Sequence, residues 1–317
     1  MTPLKGIHHV TAIAAEAQRN VDFYLGVLGL RLVKKTVNFD DPGSYHLYYG
    51  DRVGTPGTLV TFFIWPGATN GQRGAGEPVA LAFAIPEGSR DWWKERLSEM
   101  GLPVLHTEPR HGAGWIEVRD PDGMKVELIE STKARDTEFW SAGGISREHA
   151  ITAIHSVSLG LRDDDRSAAL FTEELTFARI GSENARLRFG LGETGDTSFV
   201  DIVKPDAPAR GRMGAGTIHH VAFRTPDDAS QRGWLEKITQ LGLQVSPVMD
   251  RKYFHSIYFR EPGGVLFEIA TDGPGMAVDE REDHLGEALA LPQEYGSFRV
   301  TLEQKLPQIV TPHLVRA

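Results

Sequence analysis

Gly6-Ile7-His8-His9-Val10-Thr11 and Thr217-Ile218-His219-His220-Val221-Ala222 are nearly the same string, set near opposite ends of a 317-residue chain. Each is a short β-branched run carrying an adjacent histidine pair, followed by a loop and a helical stretch. A whole repeated context means that the chain is assembled from copies of one supersecondary unit, which must stack on its neighbours to bury an apolar face. Two further strand-like starts fall between them, at Pro78-Val79-Ala80-Leu81 and Ile154-His155-Ser156-Val157. Amphipathic spacing predicts a helix after each start, over Gln18 to Leu28, Ser89 to Met100, Asp165 to Leu175 and Ala229 to Leu241. Three of these run into Gly-Leu (Gly29-Leu30, Gly101-Leu102, Gly242-Leu243), where glycine supplies the left-handed residue that ends a helix.

Two units close alike. Asp120-Pro121-Asp122-Gly123-Met124-Lys125-Val126-Glu127 has the spacing of Glu261-Pro262-Gly263-Gly264-Val265-Leu266-Phe267-Glu268, a Pro-x-Gly turn leading into a strand that carries an acid. Each unit therefore reads as βαβββ. The expected fold is α+β, with four modules at 1–67, 78–131, 150–205 and 217–271, linkers near Ala68 to Pro78 and Ser131 to His149, and an irregular arm over 272–317 with a short helix near Thr301 to Lys305.

Composition narrows the function. A net charge of −9, without a basic run, argues against nucleic acid or an anionic membrane surface as partner. No long apolar stretch predicts a membrane span, and the start leads directly into a strand rather than a signal peptide. Zero cysteines exclude disulfides, thiolate zinc sites and thiol catalysis, and fit a cytoplasmic protein. Any metal must sit on histidine and carboxylate. The oligomeric state is open, a symmetric dimer being the commonest default.

Alignment of the modules shows what each places at its ligand positions. The first-strand slot holds His9, Ala80, Ser156 and His220; the last-strand slot holds Glu127 in module two and Glu268 in module four, with Asp201 the nearest acid in module three. The closing strand of module one, Thr58 to Phe63, has no acid. A cup with a full ligand set therefore requires modules one and four to pair around a metal on His9, His220 and Glu268, leaving modules two and three as a degenerate cup. Two imidazoles and one carboxylate on one face, with open positions opposite, suit non-haem Fe(II). The competing reading is two strand histidines and a solvated glutamate. Regular alternation would send His8 and His219 to the opposite face, which leaves them an orienting role. By the same alignment His155 is structural, and Glu127 is a surface or structural acid.

The paired-module pattern resembles the vicinal oxygen chelate superfamily, which includes glyoxalase I, extradiol dioxygenases and bleomycin-resistance proteins. The segment from Ile257 to Glu268 looks like the second half of the extradiol signature. The first half departs, since Met249-Asp250-Arg251 stands where a histidine is expected and His255 lies too close to Tyr258. A resemblance covering nearly the whole chain is to the para-hydroquinone ring-cleaving dioxygenases. It is carried by Ile7 to Thr11, Arg31 to Thr36, Tyr45 to Tyr49, Gly54 to Thr58, Asp91-Trp92-Trp93 and Asp279 to Gly286. That resemblance implies Fe(II), with Mn(II) the second choice, O₂ as co-substrate and a small aromatic diol or phenol as substrate. It places the metal on the second histidine of each doublet and the final glutamate.

Around this centre Tyr258, one hairpin away from Glu268, is the candidate to hydrogen-bond or exchange a proton with substrate. Thr11 shares the face of His9, and Arg251 is a candidate to orient a substrate oxygen. His46 is expected to line a strand without a catalytic task. Two other classes compete. A glyoxalase-like isomerase or lyase would carry an acid in both ligand-bearing modules, and a non-catalytic, resistance-type binder would need neither four modules nor this ligand set.

Overall fold

The computed structural model describes residues 2–105, 109–133, 138–191 and 198–311, so residues 134–137 of the expected linker and 312–317 of the expected arm lie outside the described residues. The first module comprises β1 (Ile7–Ala14), α1 (Ala17–Val21), β2 (Arg31–Asn38), β3 (Asp41–Gly50) and β4 (Leu59–Ile64). The second has β5 (Glu77–Pro86), α2 (Arg90–Glu99), β6 (Trp115–Arg119) and β7 (Lys125–Ser131). The third has β8 (Ala153–Gly160), α3 (Asp165–Ala169), β9 (Phe177–Glu183), β10 (Arg186–Leu191) and β11 (Phe199–Val203). The fourth has β12 (Ile218–Thr225), α4 (Asp228–Gln240), β13 (Met249–Asp250), β14 (Phe254–Arg260) and β15 (Leu266–Pro274).

These strands form two mixed sheets. One is ordered β13-β14-β15-β12-β1-β4-β3-β2, the other β6-β7-β5-β8-β11-β10-β9. At the centre of each, the first strands of two modules lie antiparallel, β1 with β12 and β5 with β8, while each closing strand runs parallel to the first strand of its own module. A single apolar core joins both sheets to the helices, through Trp93, Leu97, Phe171, Trp234 and Ile238 among others. The expected α+β class holds.

Three local features depart from the sequence reading. The helices of modules one and three are mixed: α1 and α3 continue as π-helical turns over Asp22–Val27 and Leu170–Glu174. Among the described residues the second strand of module two is a bridge between Leu105 and Glu117, and that of module four is shortened to β13 with a bridge between Val245 and Phe259. The helix-ending glycines behave as expected, with φ of 69° at Gly29, 71° at Gly101 and 73° at Gly242.

The hairpin acids tie modules together. Asp120 accepts the backbone N–H groups of Met124 (2.7 Å) and Asp122 (3.0 Å), and the Tyr24 hydroxyl of module one reaches it at 3.2 Å. Glu261 repeats the arrangement, accepting from Val265 and Gly263, each at 2.9 Å, and from the Ser167 hydroxyl of module three at 2.5 Å. Beyond β15 the arm runs through short 3₁₀ turns to α5 (Arg299–Lys305). It folds back on β2, where fully buried Lys34 donates to Asp279 (2.6 Å) and to Glu280. Gly286 (φ 78°) passes so close that a Cβ there would meet the Leu32 carbonyl oxygen at 1.9 Å. Met276 and Leu285 of the arm pack with Val33, Tyr48, Leu59 and Phe254, filling part of the first cup.

Candidate metal centre

The eight-stranded sheet draws His9, His220 and Glu268 together. One nitrogen from each imidazole and one carboxylate oxygen all lie within 4.8 Å of one another, and all three residues are buried. The register explains this. β1 and β12 cross antiparallel with Thr11 opposite His220, and β15 runs parallel to β12 with Glu268 beside Ala222.

The histidine doublets correct the alternation argument. Between Ile7 and His9 the pairing to β12 slips by one residue, and it slips again between Thr11 and Ala12, opposite His219. His8 and His219 are thus the extra residues of two β-bulges, which re-aim side chains and break the period of two. Ile7 and Val10 both enter the core, as do Ile218 and Val221, so the two residues between them turn to the other face as a pair. This signal was present in the sequence: two core residues three apart in one strand require a bulge between them. The same slips occur in the second sheet at Val79 and His155.

The bulges let each preceding histidine orient the ligand. His8 Nε2 lies 3.1 Å from the Thr271 carbonyl oxygen, and His8 Nδ1 lies 2.9 Å from His9 Nδ1. A carbonyl only accepts, so Nε2 of His8 carries the proton. Burial, with His9 adjacent, pushes the pKa of His8 well below the usual histidine value, so its Nδ1 is an acceptor. His9 Nδ1 must then donate, leaving the His9 Nε2 lone pair facing the centre. His219 and His220 repeat the contact at 2.8 Å, with burial lowering the pKa of His219 to about 3.

Burial alone would raise the Glu268 carboxyl, but His9 and His220 outweigh it and hold it well below the ordinary glutamate range. Ser256 donates to Oε1, while Oε2 is buried without a hydrogen-bonding partner, with His220 Nε2 at 2.9 Å and His9 Nε2 at 3.4 Å. An orphaned carboxylate oxygen beside two inward-facing imidazole nitrogens, all buried, fits a divalent cation. The sequence reading overlooked Ser256, which shares the Glu268-facing side of β14 with Tyr258.

Tyr258 pairs directly with Glu268 across β14 and β15. Burial and the Glu268 charge push its phenol well above its usual value, against the opposing Arg251, so it is a neutral donor. Arg251 is half-buried, with Nε 3.2 Å from the Tyr258 hydroxyl and Nη1 3.3 Å from Asp40. Together with His9, Thr11, His46, Tyr48, Phe63 and Phe254, these residues line one cavity. His46, expected to line a strand without a catalytic task, faces the cavity.

Among the described residues, the second sheet has no such cluster. Ala80 and Ser156 occupy the imidazole slots. Glu127, expected as a surface or structural acid, is buried and held by Arg110 at 2.5 and 3.2 Å, and Asp201 is clasped by Arg186 and Arg188 at 2.8–2.9 Å. Guanidinium groups there neutralise the acids. His155 is buried against Ser156 at 3.0 Å.

Known proteins share this organisation. Over 301 residues, the chain is 43% identical to "Putative ring-cleaving dioxygenase MhqO" of Bacillus subtilis, covering 95% of each chain. It is 33% identical to the chlorohydroquinone/hydroquinone 1,2-dioxygenase of Sphingobium indicum, covering 92% of this chain and 93% of that one. A crystal structure described as a putative dioxygenase from Bacillus subtilis superposes with a TM-score of 0.92 at 41% identity, covering 99% of this chain and all of that one. Glyoxalase I from Zea mays, at 16% identity and a TM-score of 0.61 over 84% of this chain and 92% of its own, shares the fold. Residues 6–128 and 153–269 match the Glyoxalase/Bleomycin resistance protein/Dioxygenase superfamily, and the chain belongs to that family.

Proposed function

We propose that this protein is an Fe(II)-dependent dioxygenase that opens the ring of a hydroquinone or closely related phenol with O₂. The observation that carries this reading is the convergence of His9, His220 and Glu268 on one buried point at the edge of a cavity walled by aromatic rings. The relatives named as ring-cleaving and hydroquinone dioxygenases support it over nearly the full chain. In this reading modules one and four hold the metal, and modules two and three form a structural cup.

His9, His220 and Glu268 would hold the metal. When bound, the metal supplies Lewis acidity toward the phenol and the path for electrons from ring to O₂. The protein does the rest. Phe63 and Phe254 give the ring an apolar slot that excludes water. The Tyr258 hydroxyl, oriented by Arg251, donates a hydrogen bond toward a substrate oxygen, and the guanidinium offsets negative charge developing there. Asp40 fixes Arg251 in turn.

Anaerobic reconstitution with Fe(II), followed by oxygen uptake with methylhydroquinone and catechol, tests the assignment. Uptake with the para-diol is expected. A protein that binds metal yet consumes no oxygen with any phenol would instead point to an isomerase.

A further inference from the structure

Opposite Tyr258 and Arg251, the cavity wall is built from an unbroken hydrogen-bonded chain. Thr11 Oγ1 lies 2.8 Å from Thr61 Oγ1, Thr61 Oγ1 lies 2.9 Å from His46 Nε2, and His46 Nδ1 lies 3.0 Å from the Tyr48 hydroxyl. Register places it there: Thr11 pairs with Thr61 across β1 and β4, and Thr61 with Tyr48 across β3 and β4. Thr11, His46 and Tyr48 line the cavity, whereas Thr61 is fully buried behind them. Both ends of the chain therefore open on the same space.

Every member can donate and accept, and every link is satisfied in either of two directions. In one, Tyr48 donates to His46 Nδ1, Nε2–H donates to Thr61, Thr61 donates to Thr11, and Thr11 presents its proton to the cavity. In the other all three links reverse, and Tyr48 presents the proton. The two differ in the tautomer of His46, not in net charge. Burial above all, reinforced by nearby His9 and His220, holds His46 well below its usual pKa, and burial keeps the Tyr48 phenol protonated, so the chain stays neutral near pH 7.

We propose that Thr11, Thr61, His46 and Tyr48 form a proton relay that takes a proton from a substrate hydroxyl at Thr11 and returns one to product at Tyr48. The inference rests on the ring-cleaving reading above. Ring opening of a hydroquinone by O₂ adds both oxygen atoms and loses no hydrogen, so a proton released by the phenol must be returned. The substrate O–H bond breaks as a Thr11 O–H bond forms; the original Thr11 proton passes to Thr61, that of Thr61 to His46 Nε2, and that of His46 Nδ1 to Tyr48. The Tyr48 proton leaves to an enolate oxygen of the ring-opened product, an acceptor basic enough to take a proton from a phenol. No side chain changes charge, which suits a site where charge separation is costly.

Thr61→Val keeps the shape and removes the central link, while Thr61→Ser keeps both. With methylhydroquinone and the Fe(II)-loaded protein, T61V is expected to lower kcat about tenfold or more. It should also turn a curved solvent-deuterium proton inventory into a linear one, with T61S close to the parent. A T61V variant matching the parent in rate and inventory would overturn the relay. Nitrogen-15 spectra of the Zn(II)-loaded protein without oxygen give a readout independent of turnover. Adding hydroquinone is expected to move the His46 proton toward Nδ1, and unchanged tautomer populations would also overturn the proposal. Absence of oxygen uptake by the parent would remove the ring-cleaving reading but leave this spectroscopic test decisive for the relay.

Discussion

Each ligand histidine is set by the histidine before it, and the Thr271 carbonyl determines the tautomers of the first pair. Removing that support should be felt at the metal. His8→Ala is expected to weaken metal binding about 10–100-fold, read by chelator competition, and an unchanged affinity would deny His8 an orienting role. Tyr258→Phe separates binding from chemistry. It should leave metal content intact while lowering kcat by about 10²–10⁴, and equal turnover by the variant would make the tyrosine merely structural. At this scale the convergence of His9, His220 and Glu268 was legible, because slot alignment across copies singled out these three candidate ligands. Ser256, Thr61 and Tyr48 were not, since a serine, threonine or tyrosine in a strand carries no mark of what it will face.

Among the elements, the paired hairpins show how one short motif serves two modules. Asp120 and Glu261 each cap their own turn and also receive a hydroxyl from a helical segment of the preceding module. Burial raises the Asp120 carboxyl from 3.8 to about 6, against the hydrogen bonds from Met124 and Tyr24. Between those values the folded state binds more protons than the unfolded one, so this residue's contribution to stability falls as pH rises from about 4 to 6. Urea titrations across that range should show the stability of the parent, relative to Asp120→Asn, declining with pH; a constant difference would mean that Asp120 titrates normally. The π-turns were hidden at this level, because apolar spacing does not separate an i→i+5 turn from an i→i+4 one.

For the whole molecule, the metal set draws on both ends of the chain, with His9 from module one and His220 and Glu268 from module four. A bound ion would therefore link the strands on which the larger sheet is centred. Metal at a hundred times its Kd is expected to add about 2.7 kcal/mol to stability, lost on chelation. A thermal midpoint indifferent to chelator would place the ion elsewhere. The buried Lys34 contacts fasten the arm to β2, a strand of the same sheet.

Repetition within the sequence by itself determined the fold class and singled out three residues that converge, because copies of one unit report on each other's positions. Only tertiary structure decided which face the doublets turn to, how arginines neutralise the acids of the second sheet, and how four ordinary side chains join into a hydrogen-bonded wire. The physical reason is that a bulge, an ion pair and a hydrogen-bond chain are all set by strand register. Register is a property of two strands together, which neither strand encodes alone.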